Sequence, residues 1–207
     1  MALEKIEQLS DVQIDTLKEI GNIGQGNAAS ALSSIMGKMI DISVPNVKIL
    51  DFDKTVKYLG GEEQLVVGIL FGITGEINGM LIQVLSETAA CGMVNPLMNE
   101  NISSLSEINN MNRSCLEEIG NILAGSYINA IASLTGMTID ISVPSLTIDM
   151  AGAILSVPAV KFSMIGDKVL LIDDSFIIDN GELKSNIILI PEIESLSVLF
   201  SKLGVGN

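Results

Sequence analysis

Two constellations in the 207-residue chain bring together side chains that can act on a small polar group: Asp15, Glu19, Asn22 and Gly26, then Ser114, Glu118, Asn121 and Gly125. At about 100° per residue, the helical spacings i, i+4, i+7 and i+11 fall within about 60° of one another. Each set therefore lines one helix face, with a carboxylate one turn before a carboxamide. Neither is an activated nucleophile. A carboxamide can accept from a water or donate to it without changing charge, so the chemistry this pairing suits is positioning. Gly21 and Gly26 inside such a helix each cost about 1 kcal/mol against Ala, and Asn is a mediocre helix-interior residue. A Glu on an exposed helix face is ordinary, and either glycine can serve only close packing. Agreement between two diverged copies weighs against that reading for the polar residues, because surface polar positions drift readily.

What the chain lacks narrows the chemistry further. It has no His and no Trp, and Arg113 is its one arginine. Without His there is no Ser–His–Asp or Cys–His relay, no imidazole metal site and no phosphohistidine. One arginine is too few for an Arg-based phosphate cradle. With 25 Asp+Glu against 11 Lys+Arg, the formal charge is −14, which repels phosphate backbones and argues against nucleic acid. Although 48% of residues are hydrophobic, the longest apolar runs, Leu65–Ile73 and Ala151–Val160, fall well short of the ~20 residues of a spanning helix. No membrane insertion is expected. The N-terminal MALEKIEQLSD lacks a basic stretch followed by an apolar one, so the reading is a soluble, cytoplasmic protein. Cys91 and Cys115 are read as buried free thiols rather than a disulfide framework.

The elements that must carry these faces come from an internal duplication. The hexapeptide IDISVP occurs at Ile40–Pro45 and at Ile139–Pro144, and sliding the chain by 99 residues makes 16 of the 31 positions from Asp15 to Pro45 identical. One domain of two repeats, about residues 10–98 and 109–203, follows, related by a pseudo-twofold axis. Ser10 and Gln13 read as a capping box, opening a helix that runs to about Met36 with Gly37 at its C′ position. Leu17, Ile20, Gly24, Ala28, Ala31 and Ile35 share its core face; Leu116, Ile119, Leu123, Tyr127, Ala130 and Leu134 do so in the copy. Met39–Phe52 reads as a strand interrupted by Pro45, Asp53–Gly61 as a short helix, Leu65–Ile73 and Glu76–Leu85 as a hairpin, and Ser86–Met98 as a closing helix. The second half repeats the order: strand Thr138–Met150, a short helix near Gly152, strands near Val160–Ile165, Val169–Ile178 and Leu183–Ile190, and a last helix from Pro191 to Leu203 with proline at its first position. Asn99–Asn110 is a polar joint. Antiparallel strands with long helices covering one side make an α+β fold.

The pattern D/S-x3-E-x2-N-x22-P occurs twice, as Asp15, Glu19, Asn22, Pro45 and as Ser114, Glu118, Asn121, Pro144. It is similar to the motif of the CheC/CheX/FliY family of response-regulator phosphatases, and the likeness covers essentially the whole chain. Two sites without an appended C-terminal domain resemble the CheC-type branch. The resemblance implies a CheC-like fold and dephosphorylation of phosphorylated CheY. By carry-over, Asn22 and Asn121 orient the attacking water, and Glu19 and Glu118 contact the regulator's active-site lysine. Asp15 and Ser114 occupy the variable position, with a helper or surface role, and Pro45 and Pro144 shape the strand beside the helix. No cofactor of its own is implied; the Mg²⁺ belongs to the regulator. CheD is implied as a second partner, which leaves a non-enzymatic adaptor as the alternative. Other signals are weaker. Gly21-x-x-Gly24-x-Gly26 has the wrong order for a dinucleotide loop, Gly37-Lys38-Met39 lacks the Ser/Thr of a P-loop, and Asp173, Asp174 and Asp179 read as turn residues rather than a Ca²⁺ site.

Overall fold

A computed structural model describes residue 6 and residues 9–162, 168–178 and 181–206. The first half contains α1 (Asp11–Met36), β1 (Asp41–Ile42), β2 (Asn46–Asp51), α2 (Phe52–Tyr58), β3 (Leu65–Gly75), β4 (Gly79–Leu85) and α3 (Glu87–Met98). The second contains α4 (Asn110–Thr135), β5 (Ile139–Ile141), β6 (Ser145–Met150), α5 (Ala151–Phe162), β7 (Lys168–Ile178), β8 (Gly181–Pro191) and α6 (Ile193–Lys202). The joint between them is ordered by side chains: Asn95 exchanges two hydrogen bonds with the Ile102 backbone, and Leu105 is buried beneath a 3-10 turn that Ser104 caps.

All the described strands form one antiparallel sheet in the order β1-β7-β8-β4-β3-β5, with β2 also on β7 and β6 also on β3. The hairpins β3–β4 and β7–β8 meet at β4 and β8. Each repeat's IDISVP segment and the strand after it pair with the other repeat's hairpin: β2 runs along β7 from Asn46↔Asp173 to Asp51↔Lys168, and β6 along β3 from Leu65↔Met150 to Leu70↔Ser145. The halves are therefore interlocked through exchanged strands, and the pseudo-twofold axis passes between β4 and β8.

The sheet is buried on both faces, which is why its strands read as unbroken apolar runs rather than alternating ones. In β3, Val67, Ile69, Phe71 and Ile73 enter a large core shared with α1, α3, α4 and α6, while Val66 enters a smaller one shared with α2 and α5. In β8, Ile187 and Leu189 face the first core, Ile188 and Ile190 the second. Each such side chain contributes ~1.5–3 kcal/mol when fully buried. Helices thus cover both sides of the sheet, where the sequence suggested one; the short α2 and α5 supply the second layer.

Three further expectations are corrected. The strand expected at Val160–Ile165 begins inside α5, which reaches Phe162; residues 163–165 lie outside those described. Its β-branched Val157 and Val160 favour a strand, but Ile154 and Leu155 pack on the sheet and hold the segment helical, so tertiary burial overrides propensity. Pro191 ends β8 opposite Gly79 instead of opening α6, which Glu192 precedes. It lies beyond Leu189, the last β8 residue paired towards β7, so its missing N–H breaks no bond on that side. Ile35 and Leu134, assigned to the core face, are exposed in the last turns of α1 and α4.

Gly75 closes β3 at φ +116°, and a Cβ there would stand 2.5 Å from the Thr138 carbonyl oxygen of the other repeat. Gly75→Ala is expected to lower stability by about 1–3 kcal/mol, read as a lower urea midpoint with an unchanged slope.

Candidate functional site

Both motif helices are fixed at their N-termini by the same device. The Ser10 backbone N–H donates to Gln13 Oε1 at 2.9 Å, and Gln13 N–H donates to Ser10 Oγ at 3.4 Å. In the copy, Asn109 N–H donates to Asn112 Oδ1 at 2.9 Å, and Asn109 Oδ1 accepts from the Met111 and Asn112 N–H groups. The inward-turned cap residues also anchor each helix to the segment after the other repeat's last helix: Gln13 Nε2 donates to the Val205 carbonyl, and Asn112 Nδ2 to Glu100 Oε2. Gly37 and Gly136 close the two helices in the left-handed conformation. Along their length α1 and α4 pack against each other, so closely at Gly24 that a Cβ there would lie 3.0 Å from the Tyr127 Cα.

On these rigid supports Glu19, Asn22, Glu118 and Asn121 are all exposed. Among the described residues, no side-chain hydrogen bond or ion pair engages any of the four. Each pair occupies the outer face of its helix, with the carboxylate one turn before the carboxamide as the spacing requires. Pro45 is buried, its ring 3.5 Å from the position of a Gly21 Cβ, so the motif proline supports the turn that carries Asn22. Pro144 is half-buried. In the copy, Gly120 packs on the sheet more tightly: a Cβ there would meet Ile69 Cδ1 at 2.7 Å. Gly21 and Gly120 are therefore packing glycines.

The variable position differs in kind as well as in residue. Asp15 Oδ1 accepts from Lys18 Nζ at 2.8 Å, an exposed i,i+3 pair. Its counterparts Ser114 and Glu117 cannot form that pair. Exposed pairs of this kind contribute little, so Asp15→Ser is expected to change unfolding free energy by less than about 0.5 kcal/mol, measured by urea titration.

Beside the second set lies an apolar groove of about 330 Å³, bordered by Ile35, Met98, Met111, Cys115, Ser114 and Glu118. Helical spacing puts Ile35 on the core face and does not mark Met98 or Met111. The available signal was the repeat itself, since Val12 and Met111 are equivalent and both exposed. Larger hollows lie beside α2, two of whose linings include Glu62 and Glu63, and share no residue with the motifs.

Cys91 is buried and Cys115 half-buried; both are free, and burial raises both thiols above their ordinary range. Among the described residues, no three Cys, Asp or Glu side chains converge as metal ligands, and no helix is long and apolar enough to cross a membrane. Asp173 pairs with Lys48 and accepts from Tyr58; the Asp174 side chain and Asp179 lie outside the described residues. The arrangement can present an uncharged carboxamide and a carboxylate to a partner's surface, twice, on helices capped at both ends.

A family model described as the CheC-like family matches residues 12–49 and 111–148, two segments separated by the repeat offset. The CheY-P phosphatase CheC of Bacillus subtilis (strain 168) is 35% identical over 204 residues, covering 96% of this chain and 97% of that protein. The flagellar motor switch phosphatase FliY of the same organism is 25% identical over 87% of this chain and 46% of its own length. Among solved structures, Thermotoga maritima FliY superposes with a TM-score of 0.75 at 22% identity, covering 97% of this chain and all of that one. The FliM middle domain from H. pylori gives 0.69 at 14% identity, covering 94% and 99%. The fold is thus shared with FliY and the FliM middle domain, and 35% identity over nearly the full length shows that the chain belongs to the CheC-like family.

Proposed function

We propose that this chain is a phosphatase of phosphorylated CheY, hydrolysing the aspartyl phosphate of that response regulator at two sites, one on α1 and one on α4. The observation that carries the reading is the doubled Glu-x-x-Asn face, exposed and without side-chain partners among the described residues. A relative of matching length, 35% identical, is named a CheY-P phosphatase, which supports the substrate.

Phosphoryl transfer demands positioning and charge stabilisation more than covalent work by the protein. An acyl phosphate is already reactive, and the regulator's pocket supplies its own Mg²⁺. Asn22 or Asn121 enters that pocket and holds a water in line with the phosphorus, accepting from it or donating to it without a change of charge. The water oxygen bonds to phosphorus as the bond to the aspartyl oxygen breaks. Inorganic phosphate and a free carboxylate leave. Glu19 or Glu118, one turn away, pairs with the regulator's lysine and sets the helix in register. A chain without His and with one Arg can do this because the reactive centre belongs to its partner.

The test adds the purified chain to phosphorylated CheY and follows phosphate release. Faster release than the regulator's own hydrolysis is expected; an unchanged rate sinks the reading.

A further inference from the structure

Most residues identical in the two repeats have work inside the fold. Leu17, Leu116, Ile20 and Ile119 are buried, Gly21 and Gly120 are packed against neighbours, and Gly37 and Gly136 adopt the left-handed turn. Within the hexapeptide, Ile40 and Pro45 are buried, and the Ser43 and Ser142 N–H groups donate to the Ser175 and Gly72 carbonyls. The motif's exposed Glu and Asn have no such role. Ser34 and Asp41, with their copies, are polar surface residues that water satisfies. Ile23 and Ala31, with their copies, are at least partly buried, and Ile42 and Ile141 are paired in β1 and β5. Two identical pairs remain, Gly26 with Gly125 and Val44 with Val143.

These pairs are anomalous for opposite reasons. A Cβ at Gly26 or at Gly125 would have nothing within 4 Å, so no contact among the described residues requires glycine. A helix-interior glycine is destabilising relative to alanine, yet both copies have it. Val44 and Val143 are 82% and 86% exposed, apolar side chains held almost wholly in water. Both features adjoin the site. Gly26 lies one turn beyond Asn22 and about 40° around the same face. Val44 precedes the proline that rests on Gly21, the residue before Asn22.

We propose that Gly26 with Val44, and Gly125 with Val143, complete each docking surface for the phosphorylated response regulator. This rests on the phosphatase reading above. The glycine leaves bare helix backbone against which a loop of the regulator can lie, and the valine provides an apolar contact at the rim. The same surface occurs at both sites because it was duplicated with the catalytic face.

The test isolates each site by disabling the other. Gly26→Ala and Val44→Ser are placed in Asn121→Ala, and Gly125→Ala and Val143→Ser in Asn22→Ala. Phosphate release is measured against the concentration of CheY phosphorylated by a small-molecule phosphodonor. Each is expected to raise KM about tenfold with kcat held within about twofold. The glycine variants should at the same time raise the thermal midpoint, since the added methyl meets open space, and the serine variants should leave it unchanged. Val157→Ser, an exposed valine on α5, is the control and should leave KM unaltered. Unchanged KM in the four variants overturns the proposal, as does an equal rise in the control. If the wild-type chain releases no phosphate, the phosphatase reading falls and the docking proposal falls with it.

Discussion

Replacing Asn22 and Asn121 together by Ala should lower phosphate release from phosphorylated CheY by about a hundredfold or more, the usual consequence of deleting a positioning group aimed at the reacting centre. Asn22→Ala or Asn121→Ala alone should leave the activity of the other site, so the singles lose a fraction and the double nearly everything. Both side chains are exposed and make no side-chain hydrogen bond among the described residues, and Ala is the better helix former. The double variant should therefore unfold at or slightly above the wild-type temperature, which separates lost chemistry from lost structure. Glu19→Ala with Glu118→Ala should act differently. In the proposed mechanism these carboxylates pair with the regulator, so KM should rise more than kcat falls. A double Asn variant with full activity would remove the mechanism and return the helices to a purely adhesive role.

The geometry of each candidate site was legible in the sequence because its residues lie on one continuous helix and its capping signals are local. Ser10 and Gln13 start α1, Gly37 ends it, and the spacing between fixes which side chains share a face. Duplication then separated constraint from drift. The hairpins were legible because the runs Leu65–Ile73 and Leu183–Ile190 lie between turn residues. Pairing across the repeats left no local trace: nothing within Asn46–Asp51 says that it runs along Lys168–Asp173 rather than along its own hairpin. The second helical layer was missed for a related reason. An apolar run buried on both faces carries no alternation that reports what covers it, so α5 was read in part as a strand. The groove beside Ser114 and Glu118 was equally hidden, since it brings together the ends of α1 and α3 and the start of α4.

The exchanged strands set the second large effect. Cut between Ile108 and Asn109, neither half should fold as a monomer, although each carries a complete motif. The first half alone would leave β1 and β2 without β7, β4 without β8, and β3 without β5 and β6. It would also strip α4 from α1. Leu17, Ile20, Leu32, Leu116, Ile119 and Leu123 are all buried in the layer these helices share. Exposing six such side chains costs ~9–18 kcal/mol at ~1.5–3 each, as much as the ~5–15 kcal/mol that keeps a whole domain folded. Circular dichroism should show each half unfolded, or size-exclusion chromatography should show it self-associated, with one copy's β2 and β3 standing in for the missing β6 and β7. Mixing the halves should restore the helical signal, a cooperative transition and phosphatase activity, because the sheet order needs contact and not covalent continuity at the joint. A folded monomeric half would contradict the interlocked architecture. The duplication would then have joined two self-sufficient domains, and the closeness of α1 to α4 at Gly24 and Tyr127 would be incidental to stability.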